Sequence, residues 1–268
     1  LLSKRMHYPR NHLYLMHSWD VHTEFWVKSF GMASDEYSIL FSGDNLAENG
    51  LYGLNKEIEL RILRDNVSML FIEVSCPIFN PFFLEELKER YGLMIIIFAI
   101  DDEFKFDWIS STYATISDLV LTLDYVSVDR YRQSGINAHF FMHPIYIPDE
   151  EDIDTKNSYT HKISFVGRVS EDKPSRLELL NFLEKNNTGI SIISTSGSKN
   201  SRYLSRNEMY SIFKNSLINL SFSGITTYTT SENPLFERKR GTKARHLEIS
   251  AVGGFCLSEY SISSAKHL

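Results

Sequence analysis

Short apolar runs separated by amphipathic stretches recur along most of this chain. That is the pattern of strands alternating with helices around a parallel sheet. In the first half, strands are expected at 13–16, 37–41, 68–74, 93–100, 119–123 and 138–142. Helices are expected between them at 23–30, 56–64, 81–90 and 125–133. The third starts with proline in its first turn, and Gly135 ends the fourth.

The stretch 144–160 changes character, being polar, acidic and twice broken by proline, which marks a linker. The pattern then restarts with strands at 162–166, 189–194 and 217–222 and helices at 173–185 and 206–215. The expected fold is α/β with two Rossmann-like domains: residues 1–147, a linker at 148–161, and residues 162–268. In such sheets ligands bind at the carboxyl ends of strands.

Composition narrows the function classes. With 28 basic and 34 acidic side chains the net charge is −6, which gives no pull towards nucleic acid or anionic membrane. Cys76 and Cys256, each at or within a predicted strand, read as buried thiols of a reducing compartment. No apolar run reaches the length of a membrane span and no signal-peptide pattern opens the chain, so a cytoplasmic location is expected. The loops G-x-x-x-x-G-K-[ST] and G-x-G-x-x-G and the motifs H-E-x-x-H and G-x-S-x-G are all missing from the sequence.

The most informative stretch is 241–260, GTKARHLEISAVGGFCLSEY. Lys243 and Arg245 sit at the start of a predicted helix, Glu248 lies a turn further on, and Gly253 and Gly254 stop the helix before an apolar strand. Free N–H groups, the helix dipole and two cations would converge on an anion, while a carboxylate accepts hydrogen bonds from sugar hydroxyls. A solvated basic patch, extended by Arg238, Lys239 and Arg240, is the plainer reading. Gly167, Arg168 and Lys173 form a second set, where a strand ends in glycine ahead of a basic helix start. Asp101 and Asp102 end the strongest apolar strand, so they must reach solvent, cap a helix or line a cleft. His17 and Asp20 follow the first strand. Asp152-Ile153-Asp154 matches a D-x-D metal motif but reads as part of an acidic linker. Phe79, Phe82, Phe83, Phe104, Phe106 and Trp108 read as core, with sugar stacking by Trp108 the lesser alternative.

Three of these stretches, 94–108, 163–176 and 241–260, resemble in register the GT-B glycosyltransferases, most closely the branch typified by the spore-maturation protein CgeB and the group 1 transferases. The resemblance implies two Rossmann-like domains facing across a cleft, and a chain that lacks its usual C-terminal tail. It implies sugar transfer from a nucleotide-diphosphate-sugar donor to an acceptor hydroxyl, without a metal or other cofactor. Donor binding would fall to Gly167, Arg168, Lys173, Lys243, Arg245, Glu248 and Gly253, with Glu248 on the ribose and a nearby cation on the diphosphate. Asp102, Asp101 and His17 would stand near the acceptor, one of them as general base if the reaction inverts. The acceptor, a glycan, lipid-linked or protein hydroxyl, is not specified. Two rivals share the fold: a nucleotide-sugar epimerase or phosphorylase, and a catalytically silent module that binds a glycan or protein.

Overall fold

The computed structural model describes residues 11–17, 36–143, 145, 153, 158–171, 173–196, 201–223, 241 and 243–267. The expected helix at 23–30, most of the linker, Asp20, the D-x-D carboxylates and Arg238–Arg240 lie outside these residues. The chain divides into two compact units, Leu1–Pro144 and Ile145–Leu268.

Unit 1 contains β1 (Asn11–Met16), β2 (Glu36–Phe41), α1 (Ser42–Arg64), β3 (Met69–Val74), α2 (Pro81–Tyr91) and β4 (Met94–Ala99). Then come α3 (Asp102–Lys105), a π-helical turn (Phe106–Ser110), α4 (Ser111–Ala114), β5 (Leu119–Thr122), α5 (Tyr125–Gln133) and β6 (Ala138–Phe140). The strands form a parallel sheet in the order β2-β1-β3-β4-β5-β6. Period-two alternation explains β1. Leu13 and Leu15 pack under the helices with Leu54, Ile58, Leu84 and Tyr113, while Tyr14 and Met16 lie on the other face with Phe71, Phe98 and Leu123. Helix α2 shows its sequence signals directly: the Asn80 side chain caps it, Pro81 opens it, and Gly92 ends it in the left-handed conformation. Helix α1 starts well before the expected 56, at Ser42, with a kink at Gly50 (φ 67°). Its first half is rich in glycine and asparagine, which hides helical periodicity.

Unit 2 contains β7 (His161–Arg168), α6 (Pro174–Lys185), β8 (Ile190–Ser196), α7 (Arg206–Lys214), β9 (Ser216–Ser221), α8 (Ala244–Ala251), β10 (Cys256–Ser258) and α9 (Ile262–His267). Its parallel sheet has the order β10-β9-β7-β8. Val166, Ile193 and Cys256 pack with Tyr210 and Phe213 of α7 and Ile249 of α8. Arg176 of α6 lies over Phe165, which alternation sends to the opposite face, so the sheet is covered on both sides. Each expected strand of the two halves falls within two residues of an observed one at its start.

The two cysteines are half-buried, and Cys76 lies two residues beyond β3. Phe79 and Phe106 are core residues, but Phe82 and Trp108 are 79% and 57% exposed. Among the described residues, no helix is long and apolar enough to cross a membrane.

Candidate functional site

In unit 2 the strand order reverses between β7 and β9, so the crevice outside their carboxyl ends is the natural ligand site. Gly167 and Arg168 end β7 there. Gly167 leaves room for the Phe165 ring, whose Cζ would lie 3.0 Å from an added Cβ. Arg168 is exposed, its Nε donating to Ser170 Oγ at 3.0 Å. Lys173 is the residue before Pro174 at the head of α6, and its amide donates to the Ser170 carbonyl at 3.1 Å.

Sequence reasoning treats Arg176 only as the end of a basic helix start, yet it reaches the same place. Its Nη1 donates to the Arg168 carbonyl at 3.0 Å, and its guanidinium carbon lies 5.6 and 5.1 Å from the Phe165 and Phe222 ring centres. Phe222 directly follows β9, so Arg176 bridges the two strand ends where the order reverses. The available signal was its position in the first turn of α6, where a long side chain points back towards the helix start.

Helix α8 begins at this edge as well, because it leads from the end of β9 back to the start of β10. Lys243 stands at its head in extended backbone. Arg245 and Glu248 meet each other, Nη1 donating to Oε2 at 2.9 Å. The Arg245 guanidinium also contacts Met209 Sδ and lies 5.2 Å from the Phe213 ring centre, and Glu248 is 5% exposed. The pair therefore belongs to the packing of α8 on α7. Gly253 lies apart from the other expected donor residues. It is the left-handed residue (φ 75°) that ends α8, eight helical residues or about 12 Å from Lys243 and at the amino edge of the sheet. Its role there is the helix stop. Gly254 beside it allows close packing, since an added Cβ would meet the Phe213 carbonyl at 2.9 Å.

His246, which sequence reasoning passed over, is 1% exposed. Its Nε2 lies 3.5 Å from Ser223 Oγ, just past β9, and its Nδ1 lies 3.3 Å from Ser264 Oγ on α9. Ser223 also donates its amide to Glu259 Oε2 at 3.0 Å, and Ser261 Oγ donates to Ser264 Oγ at 2.7 Å. Burial, reinforced by the charge of Lys243, pushes the His246 pKa down to about 4, with Glu259 opposing. The imidazole is thus a neutral pin joining the start of α8 to the end of β9 and to α9.

In unit 1 the order reverses between β1 and β3, and His17 is the first residue past β1. It sits against the head of α1, its carbonyl accepting from the Gly43 amide at 2.8 Å, and its Nδ1 is buried with no hydrogen-bond partner. A Cβ on Gly43 would lie 2.9 Å from His17 Cε1, which explains the glycine. Asp101 is strained (φ 57°), 3.9 Å from Lys105 Nζ, with its side chain 34% exposed. Asp102, expected to face a cleft, has no exposed surface. Its Oδ2 accepts from Thr122 Oγ1 at 2.7 Å and Tyr131 Oη at 2.9 Å. Burial raises its pKa, with the Ser110, Thr122 and Tyr131 hydroxyls opposing. The helix turns this carboxyl inward, so it ties α3, β5 and α5 together and does not reach solvent. A cavity of about 700 Å³ lined by Asn11, His12, Glu36 and Arg64 lies at the other, amino edge of β1 and β2.

Among the described residues no group of three or more His, Cys, Asp or Glu could hold a metal ion. His17 and Asp101 of unit 1 and the cations of unit 2 each lie at the carboxyl edge of a parallel sheet.

No protein-family model matches the chain, and no curated protein matches it. Solved structures do. The apo form of the lipopolysaccharide outer core galactosyltransferase WaaB aligns with a TM-score of 0.52 at 10% identity, covering 92% of this chain and 79% of that one. The UDP-GlcNAc 2-epimerase from Methanocaldococcus jannaschii aligns at 0.49 and 9% identity, over 93% of this chain and 83% of its own. The glycotransferase of kitacinnamycin aligns at 0.43 and 9% identity, over 94% and 86%. The galactosyltransferase alignment shows the fold, the two-unit parallel-sheet α/β fold of the GT-B class.

Proposed function

We propose that the chain is a metal-independent GT-B glycosyltransferase, of the CgeB-like branch, that moves a sugar from a nucleotide-diphosphate-sugar donor to an acceptor hydroxyl in the cytoplasm. The observation that carries the proposal is the group of cations at the strand reversal of unit 2. Arg168 and Arg176 gather at the end of β7, Lys173 heads α6, and Lys243 heads α8 beside the end of β9. Cations and helix starts at such an edge suit a diphosphate.

In the reaction the acceptor oxygen bonds to the anomeric carbon as the bond from that carbon to the β-phosphate oxygen breaks. Arg176 and Lys243 stabilise the charge that builds on the departing diphosphate. In an inverting reaction His17, half-buried just past the carboxyl end of β1, takes the acceptor proton; in a retaining one the leaving phosphate takes it. Asp102 plays no part, being sealed in the core. Asp101 positions the head of α3 and contributes at most to acceptor binding.

A thermal-shift screen against UDP-, GDP-, dTDP- and CMP-sugars, with and without EDTA, tests the reading. A rise with one nucleotide class, unchanged by EDTA and lost in the double variant Arg176→Ala/Lys243→Ala, supports it. Binding that survives that double variant refutes the diphosphate assignment. One observation favours the silent-module reading: Arg245 and Glu248, the cation and carboxylate that the family motif offers to the donor, already satisfy one another. Donor binding without transfer to any acceptor would support that reading.

A further inference from the structure

Trp108 is 57% exposed, although large aromatic side chains are mostly covered in folded proteins. Its ring is fixed in place. The indole Nε1 donates to the Phe104 carbonyl at 2.8 Å, and the Phe104 ring meets it edge-on at 5.3 Å and 79°. The one polar atom of the indole is thereby used, and the ring presents an apolar plate. Underneath, the backbone forms the π turn Phe106–Ser110, a local distortion that often marks functional sites. The inner side of that turn is anchored by Phe106, Ile109 and Ser110, all buried, with the Phe106 ring against Tyr131 at 4.7 Å and beneath the Arg130 guanidinium at 3.6 Å.

The surroundings of the plate are charged. Exposed Asp107 pairs with half-buried Arg130, and Glu103 and Lys105 flank Phe104 on the same short helix. The apolar area is therefore about one indole wide with an ionic rim. A protein interface of ordinary size needs about 800 Å² from each partner, far more than one ring supplies. A lipid surface would likewise meet the carboxylates of the rim. A pyranose fits both features, since its axial C–H groups form an apolar face and its hydroxyls project at the edge, towards carboxylate and guanidinium.

We infer that Trp108 and Phe104 form a carbohydrate-stacking platform on unit 1, with Asp107 and Arg130 as the hydroxyl-binding rim. The indole folds back towards the head of α3, hence towards the carboxyl end of β4. A sugar held there is a subsite for an extended acceptor glycan; that role rests on the proposed function, whereas the binding itself does not.

The test is retention of the 268-residue chain on a glycan array of gluco-, galacto-, manno- and N-acetylhexosamine oligosaccharides, followed by titration of tryptophan emission with the best-retained oligosaccharide. The expected result is saturable binding that Trp108→Ala weakens about tenfold or more and Trp108→Phe weakens about threefold or less, as for a stacked ring. Because the side chain is exposed, the alanine variant should keep its melting temperature, which is measured alongside. Failure of wild type to bind any of the four classes overturns the inference. So does equal binding by Trp108→Ala, or concentration-dependent self-association that this variant abolishes without any glycan bound. Nucleotide-sugar binding, measured on the same samples, separates the two readings: wild type that binds nucleotide-sugar but no glycan sinks the platform alone, and wild type that binds glycan but no nucleotide-sugar sinks the donor site alone.

Discussion

His246 supplies a prediction whose size follows from its surroundings. In the folded chain its pKa falls from the ordinary 6.5 to about 4, because burial penalises the imidazolium and Lys243 repels it. The sign follows directly. The unfolded chain takes up a proton near pH 6.5 and the folded chain does not until near pH 4, so acidification favours unfolding across that window. Linkage gives about 2 kcal/mol of lost stability between pH 7 and pH 5, and about 3 kcal/mol once pH falls below 4. The sequence has nine histidines, so the wild-type pH dependence alone does not isolate this one. His246→Gln removes the titration while keeping an amide that can meet a serine hydroxyl. Urea unfolding of both proteins at pH 7 and pH 5 should show wild type losing about 2 kcal/mol more than the variant. Equal losses in the two proteins would mean that His246 is neither buried nor neutral, and the pin joining α8 to α9 would go with it.

Three further outcomes are expected. Arg176→Ala or Lys243→Ala should weaken nucleotide-sugar binding by about 1.5–3 kcal/mol in calorimetry, the worth of one charge-assisted hydrogen bond, and wild-type affinity in both would remove the diphosphate assignment. Gly254→Ala forces a Cβ to within 2.9 Å of the Phe213 carbonyl and 3.0 Å of Ile249 Cγ2, so its urea midpoint should fall by an amount equivalent to about 1–3 kcal/mol. Tyr131→Phe removes a donor to the Asp102 carboxyl and should cost about 1–3 kcal/mol of stability; an unchanged midpoint would show that the Asp102 cluster does not hold unit 1 together.

The strands were legible because each is a short apolar run whose alternation splits cleanly between two packed faces, as Leu13 and Tyr14 show. Capped helices were legible for the same local reason: Asn80, Pro81 and Gly92 are all backbone signals. What stayed hidden depended on contacts distant in sequence. The first half of α1 offers glycine and asparagine in place of an apolar stripe, and the π turn at Phe106–Ser110 leaves no composition signature at all. The pair Asp101-Asp102 illustrates the limit. Adjacent identical residues take opposite fates, one partly exposed and the other sealed, because the helix that starts between them turns only the second towards Thr122 and Tyr131.

The same limit governs the site. A motif fixes the order of residues along α8 but not the direction in which each side chain leaves it. Lys243, Arg245, His246 and Glu248 occupy little more than one turn, and a turn of helix presents every direction. Arg245 and Glu248, three apart, share a face and meet on α7; His246, between them, faces the end of β9 and α9. Lys243 stands at the helix start, where position alone sets it at the carboxyl edge. A cation at a helix head is therefore a safer inference from sequence than one a turn inside, since only the second needs the fold to say which way it points. Arg176 obeys the same rule: a first-turn residue, it points back over the end of β7, as its hydrogen bond to the Arg168 carbonyl records.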